Sequence, residues 1–189
     1  MKQSKLIVIG GSAGSLQVIL DLLSPLTPAF PAPILLVLHR AGPSESAMEE
    51  LLAARTGMKC KEVEEKEPLL PGTVYICPPD YHVLIEKDHS FSLDYSERVN
   101  YSRPSIDVSF RSAADVYGEE LICLLLSGGN ADGAAGLDYA KERGAVTIVQ
   151  DPETAEVSYM PHYAIAHARV DLILKPDEMP AMLFAGSPG

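Results

Sequence analysis

The sequence predicts an α/β fold: a doubly wound, mostly parallel sheet with helices on both faces and a short antiparallel hairpin insert or edge. Three uninterrupted apolar runs support this prediction, at residues 6–9, 34–38 and 121–126. Runs without polar alternation are typical of strands that are covered on both faces. The first and third runs end in glycine-rich corners, and residues with helical spacing follow each corner. This alternation of strand and helix is typical of parallel, doubly wound sheets.

The first half of the chain supplies two helices and several strands. A helix is predicted from about residue 14 to residue 23, with an inner face of Leu16, Ile19, Leu20 and Leu23. Four prolines within residues 24–33 predict an extended connection before the strand at 34–38. A second helix, opened by Pro43 and Ser44, is expected to run to about Arg55, with an inner face of Met48, Leu51 and Leu52. Short strands follow at residues 59–63, 74–76, 83–85 and 91–93, and the last three are expected to form the antiparallel hairpin insert or edge.

The second half continues the alternation of helices and strands. Arg103-Pro104-Ser105 begins a predicted helix whose inner face carries Ile106, Phe110 and Ala113 or Ala114. The remaining predicted elements are the strand at 121–126 with its corner at 127–133, a helix to about Arg143, a strand at 145–149, a helix at 161–168, a strand at 170–174 and a helix at 176–184. No repeat and no long linker divides the sequence, so we expect one domain over residues 1–189.

Composition and charge exclude several classes of function. The chain has no apolar run of 18 residues and only a short apolar segment after its first lysines, which predicts no membrane insertion, no signal peptide and a cytoplasmic protein. A net charge of −11 argues against nucleic acid and anionic membrane surfaces as partners. Cys60, Cys77 and Cys123 are odd in number and widely spaced, which fits a reducing compartment. No metal-binding motif is present, so we predict neither a metal nor a cofactor.

The first glycine-rich corner, residues 9–15, allows three interpretations. It has the form Gly-x-Ser-x-Gly around Ser12, which is typical of a nucleophile at a sharp strand-to-helix turn. It also fits a plain structural turn in which glycines permit close packing. A dinucleotide-binding turn is the third interpretation, but the glycine spacing differs, and the second strand ends in His39-Arg40 instead of an acidic residue. Arg40 could serve a 2′-phosphate, so this interpretation stays open.

Polar residues follow three predicted strands: Ser12, His39 and Asp132. Parallel strands present their carboxyl ends at one edge of the sheet, where ligands bind. A serine hydroxyl needs a base to become a nucleophile, and a histidine base needs a carboxylate to orient it. The order Ser, His, Asp differs from the order of the nucleophile-elbow hydrolases. The alternative is that His39 is a hydrogen-bonding loop residue and that Asp132 caps the helix after it.

Several motifs resemble the CheB-type protein-glutamate methylesterases of bacterial chemotaxis, in order and over nearly the whole chain. The first corner is similar to that family's Ile-Gly-Ala-Ser-Thr-Gly-Gly, and residues 103–110 are similar to its Arg-Pro-Ser-Val-Asp-Val-Leu-Phe. Residues 126–136 resemble its Leu-Thr-Gly-Met-Gly-x-Asp-Gly-Ala-x-Gly. Weaker similarities lie at residues 37–40, 70–82 and 160–161.

The resemblance implies a catalytic domain in which Ser12 is the nucleophile, His39 the base and Asp132 the orienting acid. The implied reaction removes methyl groups from glutamyl methyl esters on the cytoplasmic helices of chemoreceptors, releasing methanol, and can extend to deamidation of receptor glutamines. It implies no cofactor. Without the resemblance, a non-catalytic regulatory module, or a nucleotide- or phosphate-binding module that uses the turn from Gly10 to Gly14, remains the alternative.

Departures from the family pattern fall in the implied oxyanion and substrate pocket, which we assign to Ala13, Gly129 and Met160. Ala13 stands where the family has threonine, and Gly129 stands where it has methionine, which predicts a wider pocket. Pro161-His162-Tyr163 replaces a proline-arginine-glutamate-like segment. The family usually carries a phospho-receiver domain before the catalytic sheet, and residues 1–189 contain no such domain. We therefore expect a stand-alone protein, a fragment or a piece of a larger fusion, with a receiver domain or fusion partner in the full system.

Overall fold

A seven-stranded parallel sheet forms the centre of the molecule. The computed structural model describes residues 5–39 and 45–183, apart from the side chains of residues 45 and 46. In chain order the sheet contains β1 (Leu6–Gly11), β2 (Ile34–Leu38), β3 (Lys59–Glu62), β4 (Thr73–Ile76), β7 (Leu121–Leu125), β8 (Val146–Gln150) and β9 (Leu172–Leu174). A separate antiparallel pair contains β5 (His82–Ile85) and β6 (Phe91–Asp94). The helices are α1 (Leu16–Leu23), α2 (Glu45–Arg55), α3 (Ile106–Tyr117), α4 (Ala134–Glu142), α5 (Tyr159–His167) and α6 (Met179–Leu183).

The strand order is β3-β4-β2-β1-β7-β8-β9, so the three strongest apolar runs lie together at the centre. β1 pairs with β2 on one side and β7 on the other, with Gly11 opposite Leu38 and Gly10 opposite Leu125. The carboxyl ends of these three strands therefore meet at one edge. The chain segments that leave this edge contain all three residues selected from the sequence.

Two hydrophobic cores, one on each face of the sheet, explain the unbroken apolar strands. Leu6 and Val8 of β1 point into a core shared with α3, α4, α5 and the β5–β6 pair, while Ile7 and Ile9 point into a core shared with α1, α2 and α6. Alternate residues of a strand face opposite sides, so both sets must be apolar when helices cover both faces. The predicted doubly wound α/β class is confirmed.

The predicted assignment of residues 74–76 to the antiparallel insert is wrong. β4 is an internal strand of the main sheet, parallel to β2 and β3. All four of its residues are buried, whereas β6 is mostly half-buried. The short apolar run was thus another strand covered on both faces. The antiparallel pairing of the next two short strands is confirmed, with Val83 opposite Leu93.

Two helix faces also differ from the predicted ones. Leu16 is 36% exposed and Leu51 is 37% exposed, although both were predicted to face inwards. Leu16 is the first residue of α1, where the helix has just left the corner, and Leu22 is buried beside Ile19 instead. In α2, Leu52 is fully buried and Met48 packs half-buried against the same core. The predicted helix opening at Pro43 and Ser44 lies outside the described residues.

The predicted inner face of α3 is confirmed, since Ile106, Phe110, Ala113 and Ala114 are all buried. The other predicted helices and strands are present, with ends that differ from the predicted ones by at most three residues. Within the residues that the structure describes, no helix has the length and apolar character needed to cross a membrane.

Candidate active site

The corner between β1 and α1 holds Ser12 in a tight turn. The backbone N–H of Ser12 donates to Ser127 O at 2.9 Å, and the Ser12 carbonyl accepts from Ser15 Oγ at 2.7 Å. Gly14 has a φ of +78°, and a Cβ at this position would lie 2.5 Å from the Cβ of Glu156. Glycine is required there by both the left-handed backbone and the close contact. Ser12 is half-buried, and no hydrogen bond to its hydroxyl is found among the described residues.

His39 directly follows β2 and is held next to this corner by its backbone, because its N–H donates to Gly11 O at 3.2 Å. Its imidazole Nε2 lies 2.7 Å from Oδ2 of Asp132. A carboxylate only accepts hydrogen bonds, so Nε2 carries the proton and Nδ1 is left as the basic nitrogen. Two groups lie 3.4 Å from Nδ1: the Ser102 hydroxyl and the Asn130 amide nitrogen.

Asp132 is completely buried, and hydrogen bonds surround its carboxylate. Besides His39, the donors are the N–H of Ile106 at 2.7 Å, the N–H of Asp107 at 3.1 Å, Ser105 Oγ at 2.9 Å and Asn100 Nδ2 at 3.2 Å. Three of these donors belong to the first turn and N-cap of α3, where the helix dipole also favours an anion. Burial opposes ionisation, but the hydrogen bonds from His39 and from Ile106 outweigh it and lower the pKa of Asp132.

The alternative prediction that Asp132 caps the helix after it is therefore wrong. The residue at the N-cap of α4 is Gly133, which has no side chain with which to cap the helix. Asp132 instead accepts from the start of α3, which precedes it in the chain.

A second carboxylate, Asp107, lies beside Asp132 and is only 6% exposed. It accepts from Gly136 N at 2.5 Å and from Asn100 Nδ2 at 2.7 Å. The Asn100 amide thus bridges the two carboxylates. Burial, and then the negative charge of Asp132, raise the pKa of Asp107. The two acids are pushed in opposite directions, so the one that contacts His39 is the one held ionised.

The three predicted pocket residues have different surroundings. Ala13 and Gly129 are exposed, and a Cβ at Gly129 would meet only Val157 Cγ1, at 3.8 Å. Met160 is 1% exposed and packs against Gly128, where an added Cβ would lie 2.5 Å from its Cε and 3.1 Å from the Cβ of Ser12. Met160 therefore lies beneath the Ser12 corner. The roles of these residues in an oxyanion or substrate pocket stay predictions.

Sequence reasoning missed four residues that contact His39 or Asp132: Asn100, Ser102, Ser105 and Asn130. Ser105 was identified only as part of a helix start. Asn130 carried a usable signal, because the family motif has glycine at its position. Asn100 and Ser102 are residue types that favour turns, but a turn preference gives no indication that these side chains contact His39 or Asp132.

No group of three or more histidine, cysteine or acidic side chains within residues 5–39 and 45–183 is arranged to hold a metal ion. The contacts described above instead join one imidazole to one carboxylate at the carboxyl edge of a parallel sheet. This is the arrangement of an α/β protein equipped for acid–base chemistry.

The family model for CheB methylesterase matches residues 7–183, so the chain belongs to this family. A Leptospira interrogans protein, provisionally named protein-glutamate methylesterase/protein-glutamine glutaminase, is 47% identical over 168 residues, covering 89% of this chain and 87% of that protein. Protein-glutamate methylesterase/protein-glutamine glutaminase 1 of Carboxydothermus hydrogenoformans is 38% identical over 175 residues, which is 90% of this chain and 52% of the relative. The crystal structure of the Thermotoga maritima CheB methylesterase catalytic domain matches with a TM-score of 0.92 at 31% identity, covering 97% of this chain and 98% of that one.

Proposed function

We propose that the protein is a protein-glutamate methylesterase that hydrolyses glutamyl methyl esters on the cytoplasmic helices of chemoreceptors. Family membership and the names of the relatives support this reaction. The structural observation that carries the proposal is the 2.7 Å contact between His39 Nε2 and buried Asp132. This pair stands at the sheet edge where Ser12 follows the neighbouring strand, and serine, imidazole and carboxylate are the groups needed for acyl transfer.

The proposed first step is attack of Ser12 Oγ on the ester carbonyl. The hydroxyl proton passes to Nδ1 of His39, because Nε2 already donates to Asp132. Asp132 is held ionised and stabilises the imidazolium that forms. The protonated ring then delivers its proton to the methoxide oxygen, so that methanol leaves and an acyl-serine remains.

In the proposed second step, water attacks the acyl-serine while His39 removes its proton. The bond to Ser12 Oγ breaks, the hydroxyl is restored and a glutamate carboxylate is released. The backbone N–H of Ala13 is our candidate for an oxyanion donor, and one donor of this kind is typically worth about 2.7–4 kcal/mol of barrier. The same steps applied to a glutamine side chain release ammonia, which accounts for the glutaminase activity in the names of the relatives.

The proposal is tested by methanol release from a methylated chemoreceptor. We expect Ser12→Ala to lower kcat by on the order of 10⁴- to 10⁶-fold, as loss of a serine nucleophile does elsewhere. Ser24→Ala, at the far end of α1, is the matched control and should release methanol at the wild-type rate, because the partner of the Ser24 hydroxyl within the described part of the chain is the Asp21 carbonyl of the same helix. Full activity of Ser12→Ala would reject this nucleophile. Absence of methanol release by the wild type would reject the function.

The match over residues 7–183 supports the proposal that this region is the family's catalytic domain. The chain spans most of the Leptospira relative but about half the length of the Carboxydothermus one. Control by a receiver domain or fusion partner, and location in the cytoplasm, stay predictions. The alternative of a nucleotide-binding or purely regulatory module is less well supported than hydrolysis, because both named relatives carry the names of hydrolases.

A further inference from the structure

A tight turn at residues 99–102 reaches the catalytic edge of the sheet. Val99 and Ser102 exchange two backbone hydrogen bonds, at 3.1 and 2.9 Å, across the two residues between them. Those two residues, Asn100 and Tyr101, have φ values of +51° and +63°. Left-handed backbone is uncommon for residues other than glycine, and such conformations concentrate at functional sites. The turn therefore fixes the backbone of its two central residues.

Two side chains of this turn contact the candidate active site. The Asn100 amide nitrogen donates to Asp107 at 2.7 Å and to Asp132 at 3.2 Å. Ser102 Oγ lies 3.4 Å from Nδ1 of His39 and 3.3 Å from the Asn130 amide nitrogen. Tyr101 lies between these two anchored residues, so its backbone is held at a fixed distance from the imidazole.

Tyr101 itself points away from the protein and is 93% exposed. A second exposed tyrosine, Tyr95, is 66% exposed and lies under the guanidinium of Arg103 at 3.9 Å. A third tyrosine, Tyr81, has its ring centroid 5.5 Å from that of Tyr95. Arg103 directly follows the turn, so the Tyr81–Tyr95 pair lies next to Tyr101, and we group the three as an exposed aromatic surface that begins one residue away from Ser102, a contact of His39. Exposed aromatic side chains grouped in this way are typical of protein-binding surfaces.

We propose that this surface, led by Tyr101, contacts the residues that flank the ester in the protein substrate. The inference rests on the proposed function and adds the surface that recognises the receptor helix. A methyl ester that reaches Ser12 must be held beside His39, so the polypeptide on at least one side of it has to cross the neighbouring rim. The turn occupies that rim, and a tyrosine supplies a large contact area with little side-chain freedom to lose.

The test compares a receptor substrate with a small ester. We expect Tyr101→Ala to lower kcat/KM for methylated receptor about five-fold more than kcat/KM for p-nitrophenyl acetate, with the change in KM and not in kcat. Tyr101→Phe keeps the ring and should restore most of the receptor preference. Leu70→Ala is the control for removal of an exposed apolar side chain, because Leu70 is 53% exposed in the turn before β4, at the opposite edge of the sheet.

Binding separates this inference from the proposed function. In the Ser12→Ala background, a methylated receptor helix fragment should bind about five-fold more weakly after Tyr101→Ala, whether or not the wild type releases methanol. Equal loss of activity on both substrates would show that Tyr101 supports the catalytic groups and would overturn the inference. An unchanged receptor preference together with unchanged fragment binding, or no fragment binding at all, would also overturn it.

Discussion

At the scale of single residues, the carboxylate of Asp132 accepts hydrogen bonds from five different residues. It is fully buried, and its two oxygens accept from a side chain on β2's end, two backbone N–H groups, a serine and an asparagine. The Asp132 carboxylate therefore has two roles. It caps α3, and it fixes which nitrogen of His39 is free.

Replacing this carboxylate by an amide affects catalysis and stability to different extents. In Asp132→Asn, the remaining oxygen can still accept from the α3 backbone. The neutral amide, however, cannot accept from His39 with its other end and cannot stabilise the His39 imidazolium. We expect kcat for methanol release to fall about 10⁴-fold and the free energy of unfolding to fall by about 1–3 kcal/mol.

Methanol release and urea denaturation measure the two effects separately. Asp115→Asn is the matched control, since Asp115 bonds to Tyr139 of α4 and to Arg143, which directly follows that helix, away from the site. If Asp132→Asn kept a tenth or more of the wild-type rate, the orienting role of Asp132 would be wrong.

At the scale of secondary structure, the contact between α3 and α4 sets the separation of the two buried acids. A Cβ at Gly136 would lie 2.9 Å from the Asp107 Cα, 2.9 Å from the Phe110 Cβ and 3.0 Å from the Asp107 carbonyl oxygen. The helices therefore touch backbone to backbone at Gly136. The N–H of the same glycine donates to Asp107.

Gly136→Ala should force the two helices apart, because rigid backbone occupies the space that the methyl group needs. We expect a loss of about 1–3 kcal/mol in the free energy of unfolding and a lower kcat, since Asp107 and its neighbour Asp132 would move. Gly129→Ala is the control in an open position and should stay within about 0.5 kcal/mol of the wild type. Equal stability of the two variants by urea denaturation would contradict this account of the helix contact.

The helices and strands could be predicted from the sequence better than the contacts between them. Apolar runs identified β1, β2 and β7, because strands covered on both faces leave an unmistakable pattern. The same pattern in the four residues of β4 was too short to separate a parallel strand from a hairpin strand. Ser12, His39 and Asp132 could be selected because each follows a strand, but the contact of Asp132 with α3 depends on a packing arrangement that no local pattern encodes. Asn100 could not have been found from the sequence pattern for the same reason.

At the scale of the whole molecule, carboxylates dominate the electrostatics, with a net charge of −11. Five carboxyl groups among the described residues have lowered pKa values: Glu64, Asp88, Asp132, Asp138 and Asp171. Hydrogen bonds from Arg169 lower the pKa of Asp138 to about 2, and hydrogen bonds lower the pKa of Asp132 and of Asp171 against the effect of burial. The pKa of Asp107 shifts in the opposite direction, because burial raises it.

The free energy of unfolding should fall on acidification. A carboxyl group with a lowered folded-state pKa stabilises the protein above its unfolded-state pKa, and this contribution is lost as the pH falls through the folded value. For Asp138 that range runs from 3.8 down to about 2. Asp107 has the opposite sign, since its contribution weakens as the pH rises through its raised pKa. Five groups with lowered pKa values outweigh one with a raised pKa, so the free energy of unfolding is expected to rise with pH.

Urea denaturation between about pH 2 and pH 4 measures this slope, and Asp138→Asn should reduce it. Asp138 and Arg169 are 37% and 54% exposed, so the Asp138 effect should shrink further at about 1 M salt. A stability that stays level or rises as the pH falls would contradict the assignment of these shifts.

The adjacency of β1 and β2 has one more consequence. Ser12 and His39 leave two strands that are hydrogen-bonded to each other in register, so their relative placement is built into the most rigid part of the molecule. The loops around Ser12 and His39 can therefore change in evolution without displacing these two residues from each other. The turn that bears Tyr101 and the open position at Gly129 are the places where members of this lineage could acquire new receptor preferences while inheriting the same reaction unchanged.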